Sequence, residues 1–275
     1  MHYLSLRLGR HFLPETFARL LLRRGWIIRP GLETTNPRAA TDHYLDVIHA
    51  QGETLTGKRV LLFGYGGSYA VAVELLRRGA EHVVLCDHIA APDTRRNSDL
   101  VQANGKYLSR SRHGVLPRPE YITLLHGDVR TAAAIRVDFV LSTSVFEHVR
   151  DVTGVTRALS ALTMPTGLHV HFVDLRDHVF KYPFEMLCFS QPVWMNFLNP
   201  TSNLNRFRVR DYQTALAPFF EQVDIQVLAR EPKVFESVRR RIRPEFLTGD
   251  ISLDSATLIQ IVACRPTRQA SNAGD

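Results

Sequence analysis

The stretch from His169 to His178, HVHFVDLRDH, gathers three histidines and two carboxylates within ten residues. An imidazole beside a carboxylate can take a proton from a hydroxyl near neutral pH. The same groups are acceptable ligands for a divalent ion. No cysteine and no His-x3-His pair accompanies them, so no metal is expected. As a strand, the segment turns His169, His171 and Val173 to one face and Val170, Phe172 and Asp174 to the other. Asp174 then lies near the strand's C-terminal end, with Asp177 and His178 on the loop beyond. His178, oriented by Asp174 or Asp177, is the first candidate for a general base. His148, in an earlier EHV, is the second. His169 and His171 read as structural, hydrogen-bonded within the sheet.

A second set of residues points to a nucleoside. In GKRVLLFGYGGSYAVAVELLRRGAEHVVLCD, from Gly57 to Asp87, a short apolar run ends at Gly64, Gly66 and Gly67. Glycine lets a ligand pass close to the backbone. A helical pattern follows, then a second apolar run that ends on Asp87. The spacing from Gly64 to Asp87 is the twenty-odd residues that separate a cofactor turn from a ribose-binding carboxylate. A charge-assisted bond from such a carboxylate to a ribose hydroxyl contributes about 1.5–3 kcal/mol. A dinucleotide fingerprint needs glycine or alanine where this chain has Tyr69, which disfavours NAD.

The elements that must position these groups alternate. Strands are expected at 59–63, 82–86, 121–125, 137–142, 167–173, 223–229 and 257–264, and helices at 69–78, 130–135, 152–162 and 211–219. Alternation of this kind predicts an α/β fold. The expectation is a Rossmann-like seven-stranded, mostly parallel sheet with helices on both faces, plus an N-terminal helical cap over residues 1–50. Residues 1–28 read as largely helical, 29–40 as an extended connector, and Thr41 or Asp42 as the cap of the next helix. The main domain would span 51–265, with insertions at 88–120 and 175–210, and 266–275 would form a disordered tail. The second insertion holds Phe180, Tyr182, Phe184, Phe189, Trp194, Phe197 and Phe207, well above the chain's 9% aromatic average. It can line an acceptor pocket or build a satellite core. In SNLNRFRVRDY, Asn205 and Arg206 can orient a polar or anionic acceptor, or else cap and pack the next helix.

Composition narrows the classes. The 275 residues carry a net charge of +7, which permits an anionic partner without requiring one. The arginines at 239–241 and 243 read as a solvated face, and no nucleic-acid motif accompanies them. Three cysteines, far apart, fit a reducing cytosol, so a cytoplasmic location is expected. No apolar stretch reaches membrane-span length, so no membrane span is expected.

The segments together resemble the class I S-adenosylmethionine-dependent methyltransferases of the small-molecule type. VLLFGYGGS is similar to the first motif of that family, and Gly64 and Gly66 match its first two glycines. The acidic position of that motif is Leu62 here, and its third glycine is Ser68. Asp87 matches the ribose carboxylate. HGDVR supplies Asp128, which in the family sits by the adenine, with Val129 beside it. VDFVLSTSVFEHV resembles the fourth strand and its continuation, and MPTGLHVHFVD resembles the turn into the fifth. The resemblance covers about residues 55–175, and the strands at 223–229 and 257–264 fit the sheet's final pair.

The resemblance implies S-adenosyl-L-methionine as cofactor, with S-adenosyl-L-homocysteine as product. It implies cofactor contacts from Gly64, Gly66, Ser68, Asp87, Asp128, Val129 and Ser142, and catalytic roles for His178, His148 and Asp174. With leucine at 62, the cofactor's ammonium falls to backbone carbonyls, water or another carboxylate. The expected acceptor is a small hydroxylated molecule, a sugar or a secondary metabolite, because a histidine–carboxylate pair suits deprotonation of a hydroxyl. The alternatives are an NAD-dependent oxidoreductase and a degenerate relative with a binding or non-methylating role. A homodimer through the N-terminal segment is a further expectation.

Overall fold

The computed structural model describes residues 2–12, 32–132, 135–178, 182–199 and 203–267. The apolar runs become strands buried on both faces, as a parallel sheet between helical layers requires. These are β1 (Arg59–Phe63), β2 (His82–Asp87), β5 (Ile122–His126), β6 (Val137–Thr143) and β7 (Thr163–Asp174). Two long strands, β8 (Phe220–Arg230) and β9 (Ala256–Pro266), complete a seven-stranded sheet of order β5-β2-β1-β6-β7-β9-β8. Pairing is parallel from β5 through β7, while β9 runs antiparallel to both β7 and β8. The C-terminal ends of β1, β2, β5, β6 and β7 therefore share one edge, and Gly64, Asp87, Asp128, His148, Asp174 and His178 lie on or just beyond it.

Two helical layers cover the sheet. On one face, α3 (Pro37–Ala50) and α4 (Ala70–Arg77) bury Tyr44, Ile48, Val71 and Leu75 against Val60, Leu62, Leu85 and Leu141. On the other, α6 (Val152–Leu162) and α7 (Val209–Leu216) bury Leu159, Tyr212 and Leu216 against Leu61, Val84, Val140 and Ile261. A third core joins α1 (His2–Phe12) to the second insertion and to α8 (Pro232–Val238) through Tyr3, Phe184, Trp194 and Phe235.

Several local expectations are corrected. The segment 32–40 is helical rather than an extended connector: α2 (Leu32–Thr35) precedes α3 directly. Asn36 caps α3 through the Ala39 N–H, with Pro37 in the first turn where its missing donor costs nothing. Thr41 lies inside that helix and donates to the Pro37 carbonyl. The first insertion is ordered, with α5 (Thr94–Val101) and a hairpin of β3 (Leu108–Ser111) and β4 (Gly114–Pro117). In place of the helix at 130–135 stands a 3-10 turn, Val129–Thr131; residues 133–134 lie outside the described residues. Strand β9 reaches Pro266, and the Thr267 N–H donates to the Phe219 carbonyl, so residues 266 and 267 belong to the sheet's edge and not to a tail. Residues 268–275, 13–28 and Phe180 lie outside the described residues. Among the described residues no helix is long and apolar enough to cross a membrane.

Candidate active site

The glycine turn leaves β1 with Gly64 and Gly66 at φ of 80° and 62°. The two serve different ends. A Cβ on Gly64 would stand 2.3 Å from a Val145 methyl, so this glycine lets the turn pass beneath the β6 loop. A Cβ on Gly66 would meet nothing within 4 Å. The backbone at Gly66 thus borders open space, and a ligand can come against it there.

Asp87 closes the turn from the end of β2. Its carboxylate is buried and accepts from the N–H groups of Gly66 at 3.0 Å, Ile89 at 2.8 Å and Ala90 at 2.7 Å. A carboxylate has about four acceptor sites, so three bonds leave it able to take one more donor. Sequence reasoning missed the residue that fixes the turn from the other side. Asn97 of α5 is fully buried, accepts from the Tyr69 N–H at 2.9 Å and donates to the Gly67 carbonyl at 2.9 Å. Only its place in an insertion flanking the motif could have signalled it. Ser68 accepts from the Ala70 N–H at the start of α4. Tyr69 is buried and stacked on Tyr65, with centroids 6.3 Å apart.

Asp128 and Val129 follow β5. Arg130 grips the Asp128 carboxylate with its backbone N–H at 2.9 Å and with its guanidinium, and this hydrogen bonding holds the carboxyl down at about 2. Val129 is buried. The Ser142 side chain turns inward at the end of β6. It is 1% exposed and hydrogen-bonds the His171 Nδ1 at 2.8 Å. His171 in turn contacts His169 at 3.3 Å, and His169 contacts the Thr163 hydroxyl at 2.8 Å. Burial drives the His171 pKa down to about 3 and the His169 pKa well below the ordinary range, so both are neutral. These two histidines are a structural chain.

The remaining histidines meet across the β6 and β7 ends. His178 Nδ1 lies 3.1 Å from His148 Nε2, and His178 Nε2 lies 3.2 Å from Glu147 Oε1. The last contact is at ion-pair distance but misaligned for a hydrogen bond, leaving Glu147 Oε2 and His178 Nε2 buried without hydrogen bonds. Asp174, expected to orient His178, stands 3.9 Å from it and is engaged by Arg176 at 2.9 and 3.0 Å. Asp177, the other expected partner, is fully buried against Arg7 and Tyr3 of α1. The orienting group is therefore Glu147. Asn205 fixes the turn that carries it, donating to the Phe146 and Val149 carbonyls at 2.7 and 2.9 Å. Arg206 is buried too, donating to the Met186 and Phe189 carbonyls. Both are engaged in holding loops.

Glu147, His148 and His178 offer ligand atoms within 4.8 Å of one another, close enough for a divalent ion. An ion needs converging lone pairs, however, and here two imidazole nitrogens face each other. That arrangement suits sharing a proton.

No protein-family model matches the chain, and no curated protein sequence does. Solved structures do. A candidate sarcosine dimethylglycine methyltransferase from Galdieria sulphuraria aligns over 92% of this chain and 98% of its own, at 13% identity and a TM-score of 0.54. The chain has the class I methyltransferase fold. A geranyl diphosphate methyltransferase in complex with S-adenosylmethionine aligns over 83% of this chain and 85% of its own, at 14% identity and a TM-score of 0.51. A phosphoethanolamine N-methyltransferase from Haemonchus contortus, also with that cofactor, covers 88% of this chain and 54% of its own, at 12% identity and a TM-score of 0.51. On this methyltransferase fold α3 packs against β1 and β6, α2 is tied to α3 through Glu33 and Tyr44, and the second insertion builds the third core with α1.

Proposed function

We propose that this protein is an S-adenosylmethionine-dependent methyltransferase acting on a hydroxyl oxygen of a small molecule, a sugar or a secondary metabolite. One observation carries the reading. On a methyltransferase fold, a glycine backbone open to space and a buried strand-end carboxylate sit at the same sheet edge as a carboxylate-backed imidazole pair. The similar structures range from a geranyl diphosphate to a phosphoethanolamine methyltransferase, so the choice of oxygen rests on the imidazole pair.

The bound cofactor supplies a methyl group already activated on a sulfonium. The chain's residues then have to bind, align and deprotonate. Asp87 takes a ribose hydroxyl with its remaining acceptor site, and Gly64, Gly66 and Ser68 border the amino-acid end. Asp128 and Val129 flank the base. Holding the acceptor oxygen in line contributes up to about 7–11 kcal/mol. Glu147 favours a proton on His178 Nε2, so His178 Nδ1 accepts from His148 Nε2–H. His148 is the less buried of the two. The imidazole pair would take the proton of the acceptor hydroxyl as the new bond to oxygen forms.

Calorimetric titration with S-adenosylhomocysteine and with NADH tests this. Binding of the first alone is expected, and Asp87→Ala should weaken it by one to two decades, from about 1.5–3 kcal/mol of lost bonding. Binding of NADH, or of neither ligand, refutes the reading. Product release over a panel of sugars and phenols then identifies the acceptor class.

A further inference from the structure

The first motif lacks its acid: Leu62 is 1% exposed and packs in the core with Tyr44. Leu62 pairs in register with Leu141 of β6, and both face the layer formed by α3 and α4. Thr143 lies two residues beyond Leu141, on the same face and about 7 Å closer to the sheet edge. At that point the structure supplies a carboxylate from elsewhere in the chain. The Tyr44 hydroxyl lies 2.6 Å from Thr143 Oγ1 and donates at 2.6 Å to Glu33 Oε1 of α2. Glu33 is thereby held at the C-terminal edge of β6, in the layer into which the side chain of position 62 points.

The other acidic groups around the crevice already face a cation, an imidazole or backbone amides, Glu147 lying 3.2 Å from His178. Asp128 has Arg130, Asp174 has Arg176, Asp177 has Arg7, and Asp87 has three backbone amides. Among the described residues Glu33 has hydroxyl partners and no cationic one. Burial pushes its carboxyl up to about 7. A half-buried carboxylate with only neutral partners is stabilised by a cation brought to it.

We propose that Glu33 holds the α-ammonium group of the cofactor's amino-acid end, replacing the acid that position 62 lacks. This rests on the reading that the crevice takes S-adenosylmethionine. The α2–α3 segment then belongs to the cofactor site, and the N-terminal region does more than cover it.

The test compares two nucleosides on wild type and Glu33→Gln. S-adenosylhomocysteine carries the ammonium, whereas methylthioadenosine lacks the whole amino-acid end. Glutamine keeps the acceptor for Tyr44, so the fold should survive. The variant should lose at least tenfold in affinity for S-adenosylhomocysteine and keep its affinity for methylthioadenosine. Unchanged affinity for both overturns the proposal. Equal loss for both overturns it as well, since Glu33 would then act through the fold. A wild type that binds neither nucleoside overturns the functional reading itself, and the proposal with it.

Discussion

Asp177→Asn is the perturbation most directly priced by the structure. Asp177 and Arg7 are 0% and 1% exposed, and the guanidinium grips both carboxylate oxygens. The Tyr3 hydroxyl donates to the same carboxylate, and burial, then the nearby Asp177, keeps that phenol protonated. Asparagine preserves the shape and removes the charge that faces the buried Arg7 guanidinium. Removing one partner of such a pair costs about 3–5 kcal/mol. Among the described residues α1 is also held by Tyr3 and Leu8 in the third core, by Tyr3 against Tyr182 and Phe189, and by the Arg7 guanidinium 4.9 Å over Trp194. An aromatic pair or a cation–π contact contributes about 0.5–2 kcal/mol. The loss exceeds any one of these contacts, so α1 should loosen while the sheet stays folded. Hydrogen exchange read by mass spectrometry checks it. Amides of α1 should exchange roughly a hundred to a thousand times faster, with β1 and β6 unchanged. Wild-type protection of α1 in the variant would refute the reasoning, as would loss of protection across the sheet at the same rate.

Three other outcomes follow from the site. His148→Ala and His178→Ala should each lower turnover by about 10²–10⁴, with S-adenosylhomocysteine affinity intact. Dialysis against a chelator should leave turnover of the wild type unchanged, since the facing nitrogens of His148 and His178 suit a shared proton. Acid should destabilise the fold early. His171, at about 3, and His169 both have depressed values in the folded chain, so the unfolded chain binds more protons below about 6.5. Their contribution is complete above that pH and falls by up to about 1.4 kcal/mol per histidine per pH unit below it. Glu33, raised from 4.5 to about 7, works the other way between those values, so Glu33→Gln should steepen the loss and His171→Gln should lessen it. Urea midpoints measured from pH 7.5 to 5 decide between these signs.

The sheet was legible because its strands are apolar runs with clear ends. RVLLF, HVVLC and VDFVLS are buried on both faces and need no distant residue to be recognised as strands. The glycine turn and Asp87 were legible through their spacing. What the sequence hid was partnership at long range. Asp177 adjoins His178 in the chain, which makes it look like an orienting group, yet its carboxylate is fastened to Arg7 from 170 residues away. Glu147 is fixed beside His178 by Asn205, and nothing in the local pattern of either segment announces that contact. Residues 32–40 were misread because Pro37 suggests a break, when a proline in the first turn starts a helix as readily as it ends one. The aromatic insertion shows that a cluster of large rings identifies a core without saying what it is for: Trp194 and Phe184 fill the space beneath α1 and α8.

The hold of Asn97 on Gly67 and Tyr69 has a bearing on protein engineering. Residues 88–120 look like an ornament that could be trimmed to a short connector or exchanged with that of another protein of this fold. Their removal would take away a clamp on the glycine loop, so a chimera made there should lose the shape of the Gly66 crevice before it loses its fold. A graft that respects this geometry has to carry a side-chain amide at position 97 along with it.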